Sequence, residues 1–355
     1  MKSMVAFCSL FMLTANGPAL AGDAPNPDGG FYESNPTFLD PVDDDATWAK
    51  GTPGSVGLDD ALLQKASAAF GKKRYSFAFL VLRHGKLVHE SYFHGMGRRS
   101  SNNVHSASKS IVGAAVGLAM ERGLVQGLDQ PLAHFLPGAR ADIKLRHLLT
   151  MSAGIDWKED HTENEIEKQP NWVNAILSLP YPDPPGAKWN YCTGLTHLLS
   201  AVIQKASGQT LASFVREQLF SPLGIADERW GQDPQGLSSG GYNVYLTARE
   251  LAKFGQLYLQ GGRWQGRQLL PAAWVADSFR RHISPRKGKE YGLLFWQSRV
   301  AGVEVKFAWG YGGQLVYVVP SLDMVVVFTT NTRGPDPNFE GDQLLEKYVL
   351  KAAKR

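Results

Sequence analysis

Strand-forming sequence lies towards the two ends of this 355-residue chain, with a long helical stretch between. Ser76 to Leu82 is an unbroken apolar run, Arg83-His84-Gly85-Lys86 has the composition of a tight turn, and Leu87 to Phe93 returns, which is the pattern of a β-hairpin. Strand patterns resume at Tyr291 to Arg299, Val303 to Trp309, Gln314 to Val319 and Met324 to Thr330, with Pro320-Ser321-Leu322-Asp323 turning the last pair. From Leu128 to Asp233 the chain reads as helix interrupted by Pro and Gly, with helices predicted over 143–151, 172–179, 195–206 and 211–220. Strands joined by hairpins pair antiparallel. The simplest way to bury both sets is one sheet made from both chain ends. The expected fold is α+β, an antiparallel sheet flanked by helices with an inserted all-helical lobe. Its expected bounds are 56–115 and 240–355 for the sheet lobe and 116–239 for the helical lobe.

The remaining helices carry their own punctuation. Leu58 to Phe70 has Asp59 and Asp60 in its first turn and Gly71 after its end. Thr247-Ala248-Arg249-Glu250 is a capping box ahead of Leu251, Phe254 and Leu257. Pro271 opens a helix predicted to reach Arg281, and 338–354 is a final amphipathic helix. Gly95 to Asn103 reads as a polar loop.

The N-terminus has a different character. Lys2, the apolar run Met4 to Leu13 and Ala19-Leu20-Ala21 have the layout of a secretory signal cut after Ala21, too short for a membrane span. No Leu-x-Gly-Cys precedes the cut, so no lipid anchor is expected. The implied location is periplasmic or secreted. Residues 22–55, rich in Pro, Gly and Asp, read as an extended arm with Trp48 as its anchor, disorder being the alternative. Of two cysteines, Cys8 leaves with the signal, and Cys192 alone makes neither a disulfide nor a cysteine metal site. The nine histidines form no H-x-x-E-H or H-E-x-x-H pattern, so no metal or cofactor is expected. The net charge of +4 is modest, and the basic patches at Gly71-Lys72-Lys73-Arg74 and Arg280 to Lys289 read as solvated surface. A small-molecule substrate, no nucleic acid and no membrane span are expected; the oligomeric state is left open.

Chemistry concentrates at Val104-His105-Ser106-Ala107-Ser108-Lys109, which opens a helix apolar nearly all round. Ser106 and Lys109 lie one turn apart, a hydroxyl beside an amine. Two readings stand: a catalytic nucleophile with its base, or a helix-capping serine with a snorkelling lysine. A second S-x-x-K, Ser284-Pro285-Arg286-Lys287, reads as an exposed loop. Gly236-Leu237-Ser238-Ser239-Gly240 fits the nucleophile-elbow pattern but lacks the strand before and the helix after. Tyr191, in Tyr191-Cys192-Thr193-Gly194, is either a proton shuttle near Lys109 or a packed loop tyrosine. Trp309-Gly310-Tyr311-Gly312-Gly313-Gln314 enters a strand; its glycines either admit a ligand or form a bulge at a sheet corner. A backbone N–H there, paired with that of Ser106, would suit an oxyanion.

In order and spacing these pieces resemble the serine β-lactamase/penicillin-binding-protein superfamily, in particular the class C-related hydrolases that include β-lactamase-type esterases and 6-aminohexanoate-dimer hydrolase. Further motifs carry the resemblance: Leu148-Leu149-Thr150-Met151-Ser152-Ala153-Gly154, Ser207-Gly208-Gln209-Thr210-Leu211, Phe220-Ser221-Pro222-Leu223-Gly224-Ile225 and Val318-Val319-Pro320-Ser321-Leu322-Asp323. The resemblance implies a β-lactamase/transpeptidase-like fold with the site between the lobes. It implies Ser106 as acylated nucleophile, Lys109 lowering its pKa, and Tyr191 as general base and acid. It also implies an oxyanion hole from the N–H groups of Ser106 and Gln314, and substrate contacts from Thr193, Trp309, Tyr311, Gly312 and Gly313. Two positions depart from the family. Thr193 stands where the second motif often has Asn, and Tyr311-Gly312-Gly313 replaces Lys-Thr-Gly, removing the cation that meets a substrate carboxylate. An apolar ester or amide suits such a pocket better than a β-lactam.

Overall fold

The computed structural model describes residues 37–38, 48–159, 161–226, 228–331 and 341–353. The expected signal and most of the arm lie outside them. Six strands form the body of the main sheet: β1 Ser76–Arg83, β2 Lys86–Tyr92, β3 Trp296–Val300, β4 Val303–Gly310, β5 Gln314–Val319 and β6 Met324–Thr330. The hairpin near the N-terminus joins the C-terminal strands through β1 and β6, which pair antiparallel with Phe79 opposite Phe328. The order is β3-β4-β5-β6-β1-β2, extended by Ile283–Arg286 and Lys289–Tyr291 at the β3 edge and by Ala49–Lys50 at the β2 edge. All pairs are antiparallel except the last, which runs parallel to β2. Helices pack against this sheet, and no barrel closes. The α+β class expected from strands at both chain ends with helices between them is the one observed.

The centre of the sheet is buried on both faces. Val325, Val326, Val327 and Phe328 of β6 are fully buried. Alternation sends Val325 and Val327 to one side and Val326 and Phe328 to the other. Helix α4, Ala248–Leu259, covers the first side; a Cβ at Gly255 would come within 2.7 Å of both Val316 and Val325, so glycine lets the helix lie close. On the second side Phe328 stacks on Phe79 at 4.9 Å and meets Phe70 of α1, Asp60–Gly71, edge-on at 5.2 Å. Each such side chain contributes roughly 1.5–3 kcal/mol when fully buried. The predicted β1–β2 turn is tight, with His84 and Gly85 both at positive φ. His84 also ties it to the neighbouring turn, its N–H reaching the Asp323 carbonyl at 3.0 Å.

Helix α2, Ser108–Glu121, runs through the lobe boundary expected at 115/116. It is buried nearly all round, as its composition predicts. Its small residues fit close neighbours: Gly113 lies against Leu294, and Gly117 against the Trp274 ring. Helix α3, Thr193–Ser207, packs along it.

Several expectations need correction. The polar stretch 95–103 ends in a strand, Ser100–Asn103, which pairs antiparallel with Val244–Thr247; both are buried, so hydrogen bonds rather than apolar alternation define them. The two-residue strand Arg229–Trp230 joins the same small sheet inside the region read as helical. The run read as one strand over Tyr291 to Arg299 breaks at Gly292 to Phe295. There the Gly292 N–H returns to the Phe295 carbonyl, and Leu294 takes positive φ. That stretch is apolar because it packs on α2, where Ser110 donates to the Leu294 carbonyl at 2.7 Å. The helix predicted over 211–220 widens into a π-helical turn at Arg216–Phe220. Ser284 lies on the edge strand Ile283–Arg286 instead of a loop. Trp48 is buried against Trp264 at 6.1 Å, as expected of an anchor.

Candidate active site

A 3-10 turn over His105–Ala107 leads into α2, placing Ser106 at a helix start, where N–H groups lack i−4 acceptors. Lys109, one turn on, is 1% exposed. Its Nζ donates to Ser106 Oγ at 2.8 Å and to the Gly241 carbonyl at 3.0 Å. This is not a snorkelling lysine: the amine ends inside the protein, on the serine. Tyr191 closes the third side, with Lys109 Nζ 5.1 Å from the centre of its ring. Residues from three separate stretches thus converge: 106–109, 191 and the 241 carbonyl.

The electrostatics follow from burial. Desolvation holds the Lys109 ammonium below the ordinary lysine range, while Glu159, Glu163 and Cys192 pull it back up. Desolvation also raises the Tyr191 phenol well above its usual value; Tyr291, Glu159 and Glu163 push the same way, and contact with the Ser106 side chain opposes them. Burial therefore favours a neutral amine beside a neutral phenol. His105 is held down to about 3, first by burial and then by Lys109, so its ring is uncharged. Cys192 is a buried free thiol raised well above its usual range by burial; it is a packed residue, not a thiolate nucleophile.

The Gly-rich strand end meets the serine from the sheet side. A Cβ at Gly310 would lie 2.1 Å from the Val104 carbonyl and 3.1 Å from the Ala107 nitrogen, so only glycine lets β4 approach the turn that holds Ser106. Gly312 and Gly313 both take positive φ between β4 and β5. Gln314 begins β5 with its side chain turned into the protein. It accepts from Asn102 Nδ2 at 2.8 Å and donates to the Thr330 carbonyl at 2.9 Å. Trp309 meets Trp296 edge-on at 5.6 Å, and Trp296 stacks on Tyr191 at 5.9 Å, so an aromatic wall links the two motifs. Tyr311 is 51% exposed, its ring 5.8 Å from that of His105. Thr193 donates its hydroxyl to Glu159.

Sequence reasoning missed the supporting residues. Asn103 Oδ1 accepts from the N–H of His105 at 2.9 Å and of Asn243 at 3.1 Å, joining the serine turn to the loop that carries Gly241. Gly241 itself has no room for a Cβ, which would stand 3.0 Å from Lys109 Nζ and 2.7 Å from Thr193. Glu159 binds Thr193 from the stretch between the helices predicted over 143–151 and 172–179. None of these carries a periodic signal; a buried Asn-Asn pair just ahead of the serine was the one available hint. The competing elbow is excluded: Ser238 is buried and its hydroxyl accepts from the Ala212 N–H at 3.1 Å, which makes it a strap within the loop.

Sheet, buried helix and serine–lysine–tyrosine cluster together have the form of a serine hydrolase of the β-lactamase/penicillin-binding-protein superfamily. The model of the Beta-lactamase family matches residues 60–351, and the chain belongs to that family. The 6-aminohexanoate-dimer hydrolase of Paenarthrobacter ureafaciens is 24% identical over 294 residues, covering 73% of each chain. Esterase EstB of Burkholderia gladioli is 26% identical over 219 residues, 51% of this chain and 55% of that one. Among solved structures, the D-stereospecific amidohydrolase from a Streptomyces species superposes with a TM-score of 0.65 at 18% identity, covering 82% of this chain and 99% of that one; this likeness concerns the fold. Among the described residues no helix is long and apolar enough to cross a membrane.

Proposed function

We propose that the protein hydrolyses small esters or amides through an acyl-enzyme on Ser106. The observation that carries this reading is the buried Lys109 amine, held 2.8 Å from Ser106 Oγ with Tyr191 beside it. A charge-capable amine kept from water and aimed at a hydroxyl suits proton transfer. In this reading Lys109 and Tyr191 work as one acid–base pair. Its deprotonated form takes the Ser106 proton as Oγ bonds to the substrate carbonyl carbon. The N–H groups of Ser106 and Gln314 receive the oxyanion. When the tetrahedral intermediate collapses, the carbon–oxygen or carbon–nitrogen bond breaks and the Tyr191 phenol protonates the leaving group. Water then repeats the sequence to free the acid. The aromatic wall of Trp309, Trp296 and Tyr191, with Tyr311 at the surface, suits an apolar acyl group. The names of the esterase and dimer-hydrolase relatives agree with hydrolysis of a small molecule.

Ser106→Ala is expected to abolish hydrolysis of a p-nitrophenyl ester, and a fluorophosphonate is expected to label Ser106, located by mass spectrometry. Full esterase activity in Ser106→Ala would sink the proposal. A second reading, β-lactamase or D,D-peptidase, has the family match in its favour and the Tyr311-Gly312-Gly313 replacement against it. Nitrocefin turnover matching ester turnover would favour it. Failure of the fluorophosphonate to label Ser106 would instead favour a non-catalytic sensor. We further propose export, on the Ala19-Leu20-Ala21 signal; a mature N-terminus other than Gly22 after expression in a secreting host would count against that cut.

A further inference from the structure

The loop carrying Tyr191 is clamped on both sides by one short segment. Before the tyrosine, Asn190 Nδ2 donates to the carbonyls of Ile155 at 3.2 Å and Trp157 at 3.0 Å. After it, Thr193 donates its backbone N–H to the Glu159 carboxylate at 3.2 Å, and its hydroxyl to the same group. The Trp157 indole N–H is a third donor to that carboxylate. The Trp157 ring also lies over Gly194, where a Cβ would come within 2.7 Å. Segment and loop are therefore fitted to each other along their length.

The two clamps differ in charge. Asn190 is neutral, while Glu159 brings a carboxylate to the start of α3. Cys192, the N-cap of that helix, makes no side-chain capping bond, so Glu159 does the capping from 34 residues away. Its charge also reaches the reacting pair. Glu159 favours the protonated state of both Lys109 and Tyr191. Among the described residues, the other titratable groups facing the pair are Glu163 from the helix His161–Glu167, Cys192 at the start of α3, Tyr291 at the end of its strand, and His105 in the serine turn. Burial keeps Cys192, Tyr291 and His105 neutral, which leaves Glu159 and Glu163 as the anions.

We infer that Glu159 is a positioning residue for the Ser106 reaction: through Thr193 it holds Tyr191 against Lys109, and its negative charge acts on the proton that the pair shares. Thr193, standing where relatives of this superfamily often have Asn, then serves the helix start and leaves no hydroxyl hydrogen for the substrate. The inference rests on the acyl-enzyme reading and concerns how its base is held and tuned.

The test is the pH profile of kcat/KM for a p-nitrophenyl ester, measured on the full chain. A nearby anion makes the pair keep its proton to higher pH, so removing it lets the base form at lower pH. Glu159→Gln keeps an acceptor for Thr193 and removes the charge; its acid limb is expected to move down by about 0.5–1 pH unit. Asn190→Ala and Thr193→Val loosen the loop without touching the charge; they are expected to lower kcat about tenfold with the limb unmoved. Glu159→Asp keeps the charge and is expected to keep the wild-type limb. A Glu159→Gln limb that superposes on wild type, or an Asn190→Ala limb displaced as far as that of Glu159→Gln, overturns the inference. If Glu159→Gln does not fold, Glu159→Asp and Thr193→Val decide: a displaced limb in either overturns it, and lowered kcat with an unmoved limb in both supports it. Absence of fluorophosphonate labelling at wild-type Ser106 would overturn the acyl-enzyme reading itself; labelling with an unmoved Glu159→Gln limb overturns this inference alone.

Discussion

Helices α2 and α3 both begin at the site, and neither has a side-chain N-cap of its own. They are held by different chemistry. The α2 start is fixed by neutral amides: Asn103 accepts from the N–H of His105, and Asn102 reaches Gln314 from 212 residues away. The α3 start is fixed by a carboxylate, Glu159 on Thr193. The difference fits what each helix presents. The α2 start carries the serine beside a position where negative charge is proposed to develop, and a fixed anion there would oppose the oxyanion. The α3 start carries Tyr191, whose proton is proposed to stay until a leaving group needs it, and an anion nearby favours that. Neutral frame on one side and anionic frame on the other is the division that the following substitutions probe.

The largest effect is expected at Lys109, which faces both frames. Lys109→Met should lower kcat/KM by about 10³-fold or more, as loss of a base within a cooperating set does. Its stability effect should have the opposite sign. Burial places the folded lysine below its ordinary range, so at neutral pH the folded state binds protons less readily than the unfolded one. Stability therefore rises with pH between the lowered folded value and the ordinary value of about 10.4. Below that window the wild type carries the full burial cost of the ammonium, and the Met variant carries none. Lys109→Met should melt no lower than wild type at pH 7 by calorimetry, and its stability should lose part of the rise with pH. A clearly lower melting temperature would mean that the Gly241 carbonyl bond outweighs the desolvation cost.

Gly310→Ala ranks next. The added methyl would press on the Val104 carbonyl and the Ala107 nitrogen, both backbone atoms of the serine turn. Overpacking of this kind costs about 1–3 kcal/mol. Because the displaced turn carries Ser106, activity should fall by at least about 10²-fold even where the variant is folded. A folded Gly310→Ala with normal kcat would show that β4 does not set the position of the serine.

How much of this was legible in sequence depended on range. The β1–β2 hairpin, the buried α2 and the Thr247 capping box have local signatures, and the structure contains all three; in the box, Glu250 N–H meets Thr247 Oγ1 at 3.2 Å and Thr247 N–H meets Glu250 at 2.7 Å. Ser106 and Lys109 were legible because one helical turn joins them. The frames were not. Asn102 with Gln314 and Glu159 with Thr193 are polar pairs far apart in the chain, and a hydrogen bond between distant residues leaves no period to read. Apolar character misled where burial came without regular pairing, as at Gly292 to Phe295, which packs on α2 from a turn. The strand Ser100–Asn103 was hidden for the converse reason: its residues are polar, yet buried and satisfied by one another and by Asn243 and Gln314.

Asn103 and Tyr311 sharpen the comparison with smaller effects, both on the neutral side. Asn103→Ala leaves the N–H groups of His105 and Asn243 without their side-chain acceptor in a buried place. Chemical denaturation should show a loss of about 1–3 kcal/mol. Its pH profile should keep the wild-type acid limb, since no charge is removed; a displaced limb would blur the neutral–anionic division. Tyr311 lies at the solvent edge, its ring 5.8 Å from that of His105. Tyr311→Ala should change stability by less than about 0.5 kcal/mol. If the ring touches the acyl group, KM for an aromatic ester should rise about threefold, KM for an acetate ester should hardly change, and kcat should stay the same for both. Equal changes for the two esters would place the acyl group away from Tyr311, on the wall made by Trp309 and Trp296.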